Sequence, residues 1–293
     1  MRAALRRELR KHRRLLLAAH LLTALSTAAL YYAQASYVVR QVEVLRALPS
    51  RLDQMDIARL LAADLLQLTP AHAADQALGL LAGTAFGTVL FALVAARLAA
   101  AEFGWGTAAV RLADGPRASV LRTCLALLLG TTLSLLLTAW AAAVLYAHLA
   151  VRWVASELPA FADLSNRAEP GSGLAQLLVA WLSASLLAST AMAVALLARN
   201  ALVGLVVAVV AFFGQLTLVG SGAVTGLAGL LPAVAQVSML PEVFRYVPDA
   251  GVLHAPLQSS GAPLWQTAAV TALATALAFT IAGQRILRME VRT

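Results

Sequence analysis

Residues 174–219 read LAQLLVAWLSASLLASTAMAVALLA, then Arg199 and Asn200, then ALVGLVVAVVAFFGQLTLV. Neither apolar run contains Asp, Glu, Lys or Arg, and only two polar residues separate them. A helix of about 20 apolar residues is long enough to cross a hydrocarbon core of about 30 Å. The stretch therefore predicts a tight hairpin of two membrane-spanning helices, with its turn at the level of the lipid headgroups.

The remainder of the 293-residue chain has the same character. Hydrophobic residues make up 61% of it, charged residues make up 12%, and the mean hydropathy is +0.80. A soluble domain carries about 25% charged residues, so lipid must be the solvent for much of this chain. With further apolar runs at 15–38, 77–96, 121–151 and 264–283, we expect an all-α fold with six spans over residues 15–293.

Basic residues are divided unevenly between the two sides that six spans would create. Fifteen of the 22 Lys and Arg fall on the side of the amino terminus, and seven fall on the other side. Because cytoplasmic loops carry the excess of Lys and Arg, both termini are predicted to be cytoplasmic. The abundance of Arg, Ala and Leu is typical of a GC-rich bacterial genome, which indicates a bacterial inner membrane.

The first fourteen residues predict a helix that lies on the inner leaflet and binds anionic lipid. One face of this helix carries no arginine, and arginines occupy the rest of its surface. That face holds Leu5, Leu9, His12 and Leu16. A cleaved signal peptide is the alternative for this end of the chain, since residues 33–35 read A-Q-A. No basic patch interleaved with aromatic residues occurs, so the net charge of +8 does not indicate nucleic-acid binding.

Two segments outside the spans have their own patterns. Residues 39–76 mix charges with leucines at helical spacing and predict an outer segment of short amphipathic helices. Residues 220–263 predict a re-entrant hairpin on the outer side, because Gly226, Gly229 and Pro232 divide an apolar run into halves too short to cross. Two further full spans are the alternative for this second segment.

The sequence reveals no energy source within this chain. It contains no G-x-x-x-x-G-K-[ST] loop for a nucleotide, and the predicted spans contain essentially no Asp, Glu, Lys or Arg for ion coupling. Lone histidines such as His20 are more often packed and hydrogen-bonded than part of a relay. The motifs of intramembrane proteases are absent from the sequence as well. We expect no cofactor in this chain.

The connection between predicted spans two and three, residues 101–120, reads AEFGWGTAAVRLADGPRASV. Glu102 and Thr107 bracket two glycines, and a short helix is expected over 107–113. Gly115 and Pro116 then end it, because Gly accepts a left-handed cap and Pro opens the next helix.

This connection resembles the coupling region of ABC-2-type ABC transporter permeases, with the pattern E-[FY]-x-x-G-T followed by an arginine before a long span. The resemblance extends over most of the chain. It implies a loop that docks on a separate ABC ATPase, where ATP and Mg are bound, and a second permease copy as a homodimer or heterodimer. The implied function is export of a hydrophobic or amphipathic substrate. The loop residues assigned to coupling are Glu102, Gly106, Thr107, Arg111 and Arg117.

Two other classes of function stay open. A membrane scaffold without a transport role would leave the activity of an ATPase partner unchanged. A membrane enzyme that acts on lipids would gather polar residues at one interface, and the sequence shows no such cluster.

The connection departs from the family pattern at one place. Residues 108–110 are smaller than the polar or aromatic stretch that usual members of the family have there.

Small and polar residues within the predicted spans supply the remaining candidates. Glycines recur every four residues at the start of span two, which favours close helix packing within the chain or between subunits. These are Gly79, Gly83 and Gly87. Polar side chains in spans four and five either bond to their own helix or line a substrate path. They are Ser185, Ser189 and Gln215.

Overall fold

The structure is a computed structural model, and it describes residues 2–47, 53–83, 85–104, 117–167, 173–220, 231 and 264–288. Every regular element in these residues is a helix, which confirms the predicted all-α fold. Four of the helices in this part of the chain are long and apolar enough to cross a membrane. Nearly all of the predicted re-entrant segment, 220–263, lies outside the described residues.

We number the α-helices in chain order. They are α1 (Arg2–Lys11), α2 (Arg13–Arg46), α3 (Gln54–Leu60), α4 (Ala62–Gln67), α5 (Ala73–Gly83), α6 (Ala85–Gly104), α7 (Arg117–Glu157), α8 (Ala160–Arg167), α9 (Gly173–Ala198), α10 (Ala201–Gly220) and α11 (Leu264–Arg288). A short 3-10 helix, Pro70–His72, precedes α5.

The longest helices, α2 and α7, form a parallel pair. With 34 and 41 residues they are about 51 and 61 Å long at 1.5 Å per residue, so both extend past the apolar runs that predicted them. Residue numbers rise together along the two helices. The contacts that show this are His20 Nδ1 to Thr138 Oγ1 at 2.8 Å, stacked Tyr32 and Trp153 rings 5.6 Å apart, and Arg46 Nη1 to Glu157 Oε2 at 3.6 Å.

The parallel pairing gives the bundle two distinct ends. We call the end where α2 and α7 begin the basic end, and the end with Arg46 and Glu157 the cap end. Only residues 168–172 separate α8 from α9, so α9 begins at the cap end and returns along α5, α6 and α7. The α9–α10 turn at Arg199 and Asn200 therefore lies at the basic end, together with α1.

The predicted outer segment, 39–76, contributes short helices to a layer over the cap end. Helices α3 and α4 pack against α8, and apolar side chains from all three are buried between them. Asp53 starts α3 by accepting a hydrogen bond from the Asp56 N–H at 2.7 Å, a typical N-cap. The buried side chains of the layer include Ile57, Leu61, Leu65 and Phe161. Hydrophobic burial therefore holds these short helices in place, because each is too short to be stable alone.

Asp64 of α4 gives the cap end a testable dependence on pH. Partial burial raises the pKa of its carboxyl above the ordinary value of 3.8, because burial disfavours the charged form. An acid whose pKa is raised by folding stabilises the fold least when it is ionised, so stability should fall as pH rises above about 3.8 through the raised value. We expect Asp64→Asn to flatten this part of the curve of melting temperature against pH in detergent. Asp163→Asn, on the exposed surface of α8, controls for the loss of a negative charge.

The second predicted span, 77–96, is broken in the structure. The two segments Pro70–Ala82 and Ala85–Ala99 meet at an angle of 63°. If this bent pair counts as one span, the described residues hold five, and α11 contains a shorter apolar stretch over Ala269–Ile281. Six spans therefore stay a prediction, while the described residues show four helices that are long and apolar enough to cross a membrane.

The amino-terminal helix α1 is present, but its buried face differs from the predicted one. Leu5 and Leu16 are partly buried against the core, whereas Leu9 is 42% exposed. His12, which belongs to the predicted face, is buried, and Glu8 is buried beside it, with Glu8 Oε2 3.7 Å from His12 Nε2. The buried side of α1 therefore includes Glu8 and leaves out Leu9, because α1 packs on α2 and α7 through the contact between Glu8 and His12.

Candidate functional site

The predicted coupling loop joins two helices at the basic end. Glu102 lies in the last turn of α6, and Arg117 is the first residue of α7. Gly106, Thr107 and Arg111 lie outside the described residues. The structure therefore brings both flanks of the loop to the end that also carries α1 and the α9–α10 turn.

The three spaced glycines lie at the bend between α5 and α6. Gly79 is buried within α5, Gly83 is its last residue, and Gly87 is buried in the first turn of α6. A Cβ at Gly87 would overlap the backbone carbonyl of Leu81. The spacing thus serves a close approach between consecutive helices, where the sequence predicted a packing face along a span.

A cavity of about 270 Å³ lies between α9, α10 and α11 and contains Gln215. We call it the apolar cavity, since its other walls are mostly Leu, Ala, Val and Phe side chains. Thr190 is its second polar residue, and its hydroxyl donates to the Leu186 carbonyl at 2.9 Å. An amphipathic molecule would find one amide and one hydroxyl in otherwise apolar surroundings there.

The other two polar candidates do not line the apolar cavity. Ser189 is fully buried, and its hydroxyl donates to the Leu186 carbonyl of its own helix at 2.8 Å. Ser185 is 3% exposed, and its Oγ has no hydrogen-bond partner among the described residues. Of the predicted path residues, the structure brings only Gln215 to the cavity.

A second cavity, of about 340 Å³, lies at the basic end between α6 and the α9–α10 turn. We call it the basic-end cavity. Two arginines from different elements, Arg97 and Arg199, line it together with Asn200, and its remaining lining residues are apolar. The other lining residues are Leu93, Ala201, Leu202 and Leu205. Arg97 could not be assigned a role beyond its charge from the sequence, because nothing in the pattern indicated which turn would lie beside it.

The local geometry of the turn explains how Arg199 is presented. Arg199 has φ 53°, a left-handed conformation, and the Asn200 N–H donates to the Ala195 carbonyl at 3.1 Å. This is the Schellman pattern that ends a helix. Asn200 then caps α10, since its Oδ1 accepts the Leu202 N–H at 2.8 Å. Two residues thus end one membrane helix and start the next.

His20 of α2 is held between two hydroxyl groups of α7. Its Nδ1 is 2.8 Å from Thr138 Oγ1, and its Nε2 is 3.4 Å from Ser134 Oγ. Both hydroxyls also donate to backbone carbonyls of α7, Ser134 to Thr131 and Thr138 to Ser134, each at 2.9 Å. The histidine therefore joins the two long helices, in line with the packed role expected for it.

Comparisons with protein-family models, with curated proteins and with solved structures found no match to this chain. The class is therefore defined by the fold and the composition. Apolar helices of membrane-spanning length make this an α-helical, membrane-embedded protein. Within the described residues, no three His, Cys, Asp or Glu side chains gather as metal ligands.

Proposed function

We propose that this chain is the membrane subunit of an ATP-driven exporter of the ABC type, energised by a separate cytoplasmic ATPase. Six spans would be formed by α2, the bent pair α5–α6, α7, α9, α10 and α11. The parallel course of α2 and α7 supports this count. A chain that leaves α2 at the cap end must return to the basic end before α7 begins, and α5–α6 is the helical segment available for that return.

The observation that carries the proposal is the position of the two helix ends, Gly104 and Arg117, that flank the predicted coupling loop. The loop bears the E-F-x-x-G-T pattern and joins α6 to α7 at the basic end. Cytoplasmic surfaces carry the excess of Lys and Arg, so the basic end is expected to face the cytoplasm. A soluble ATPase would find the loop there. The sequence has no nucleotide-binding loop, so ATP and Mg would be bound by that partner.

The described contacts suggest how a movement of the loop would be transmitted. α7 is one uninterrupted helix of 41 residues that begins at Arg117, and it is joined to α2 at three levels. Closure of the ATPase pair would displace the loop and tilt α2 and α7 together against α9, α10 and α11. A second copy of the chain would complete the translocation path.

The apolar cavity supports a hydrophobic or amphipathic substrate. Gln215 and Thr190 are the polar residues of its wall, and the remaining side chains there are apolar. A strongly charged substrate would lose its hydration in such surroundings without a compensating ion pair. We therefore assign Gln215, rather than Ser185 or Ser189, to the substrate path.

Charge reversal at Glu102 tests the coupling role. We expect Glu102→Lys to reduce co-purification of the ABC ATPase from native membranes by at least about tenfold, because removing one partner of an interfacial charge pair costs several kcal/mol. The measurement is a pull-down of the full-length chain in detergent, with quantification of the bound ATPase. Glu43→Lys, an exposed carboxylate near the cap end of α2, is the matched control and should leave the yield unchanged.

Two outcomes would contradict the proposal. One is that ATPase binding and ATP-dependent transport survive substitutions throughout residues 102–117. The other is labelling of position 105 from outside the cell in a chain that carries Trp105→Cys and Cys124→Ser. An ATPase that binds normally but whose activity is unaffected by the chain would instead favour the scaffold function.

A further inference from the structure

We propose that the basic-end cavity is a binding site for the phosphate group of an anionic membrane lipid. Its volume of about 340 Å³ is within the range of about 300–1,000 Å³ that is usual for small-ligand sites. The site requires only that the helices lie in a membrane. It does not rest on the proposed export function, and it is separate from the apolar cavity, which has different walls.

The charge in the cavity comes from two arginines that have no acidic partner among the described side chains. Arg97 belongs to α6 and Arg199 to the α9–α10 turn, so two different elements each contribute one arginine to the lining of the cavity. The ion pairs in the described part of the chain lie elsewhere, in α1, in α3 and between α2 and α7. Guanidinium groups bind phosphate oxygens in pairs with charge-assisted hydrogen bonds.

The cationic character does not come from the free end of a helix. The Oδ1 atom of Asn200 already accepts the Leu202 N–H at the start of α10. The Nδ2 of Asn200 has no partner among the described residues, and as a donor it is suited to a phosphate oxygen. The site is therefore built from side chains, two guanidinium groups and one amide.

The apolar part of the wall favours a lipid over a soluble phosphate. Leu93 lies one helical turn before Arg97 and so deeper in the membrane, while Leu202 and Leu205 follow Asn200 into it. Leu202 is 65% exposed, so the cavity adjoins the surface that faces lipid. A phospholipid would place its phosphate between the arginines and its first methylene groups along the leucines, whereas inorganic phosphate would gain nothing from them.

The backbone of Arg199 provides a way to separate binding from folding. Its φ of 53° is a conformation that glycine adopts without the steric cost that any other side chain has there. Arg199→Gly should therefore leave the melting temperature equal or higher while it removes one of the two charges. If Arg199 served the turn alone, Arg199→Gly would have the same effect on the melting temperature but would not change the association of the lipid.

The experiment uses the full chain in phosphatidylcholine vesicles with trace spin-labelled phosphatidylglycerol. The measured quantity is the relative association constant of the labelled lipid, taken from the motionally restricted fraction of its spectrum. We expect Arg97→Gln and Arg199→Gly each to lower it about fivefold, and the double variant to lower it by more than about tenfold. Arg152→Gln, an exposed arginine near the cap end of α7, is the matched control and should change it little.

A competition arm identifies the source of the phosphate. Millimolar inorganic phosphate should not displace the labelled lipid, and unlabelled phosphatidylglycerol should displace it. The proposal is overturned if inorganic phosphate competes as well as the lipid does, or if Arg97→Gln and Arg199→Gly leave the association constant unchanged. An equal loss with Arg152→Gln would also overturn it, because the effect would then be that of overall charge.

Discussion

Replacing Gly87 with alanine should destabilise the protein by at least about 3 kcal/mol and lower the yield of monodisperse protein in detergent. The new methyl group would overlap the backbone carbonyl of Leu81, and a backbone group at the end of α5 cannot rotate away as a side chain does. Overpacking of this kind usually costs about 1–3 kcal/mol, and more where the backbone must move. The readout is the melting temperature, together with the size-exclusion profile.

Gly130 supplies the matched control for this substitution. It lies in α7 with nothing within 4 Å of the position that a Cβ would take, so Gly130→Ala should be neutral or slightly stabilising. If Gly87→Ala folds as well as Gly130→Ala, the close approach of α6 to α5 does not exist and the bend must have another geometry.

Gly204→Ala should cost about 2 kcal/mol by forcing α10 away from α9. An added Cβ would lie 2.6 Å from the Ala191 carbonyl oxygen and 2.6 Å from the Ala195 Cβ, both shorter than van der Waals contact. The two helices are joined by a turn of only two residues, so the hairpin has little room to open. A drop in melting temperature without a change in the far-ultraviolet circular dichroism spectrum would identify lost packing as the cause.

Gly214 makes the comparison within the same helix. No atom lies within 4 Å of its Cβ position, and Gly214→Ala should therefore stabilise α10 by up to about 1 kcal/mol. The two substitutions differ only in what surrounds the methyl group. Equal effects on the melting temperature would show that α9 and α10 are not in close contact at Gly204.

Hydropathy predicted the helices well and their ends poorly. The run at 15–38 identified α2, yet the helix continues to Arg46. The last turns contain Arg40 and Glu43, and their backbone groups form hydrogen bonds within the helix in water as well as in lipid. The break near Gly83 was not predicted, since glycines four residues apart fit a packing face and a bend equally well. Lipid requires long apolar runs, but it does not dictate where a helix stops.

The candidate sites could likewise be predicted from the sequence only in part. Gln215 could be identified from the sequence because an amide in an apolar run is a conspicuous feature. The cavity around it could not, since its walls are ordinary Leu, Ala and Phe residues that three distant segments bring together. Arg97 and Arg199 are 102 positions apart in the sequence, and only the parallel course of α6 and α9, both ending at the basic end, places them in one cavity.

The long pair α2–α7 has a mechanical consequence. Two helices of about 51 and 61 Å that are joined at three levels would resist bending and would pivot as one stiff rod in a membrane whose core is only about 30 Å thick. A tilt of about 10° at the foot of a 61 Å rod swings its tip sideways by about 10 Å. Small displacements on one face of the bilayer would thus be magnified on the other, and the layer of short helices fixed to the tip would travel with it.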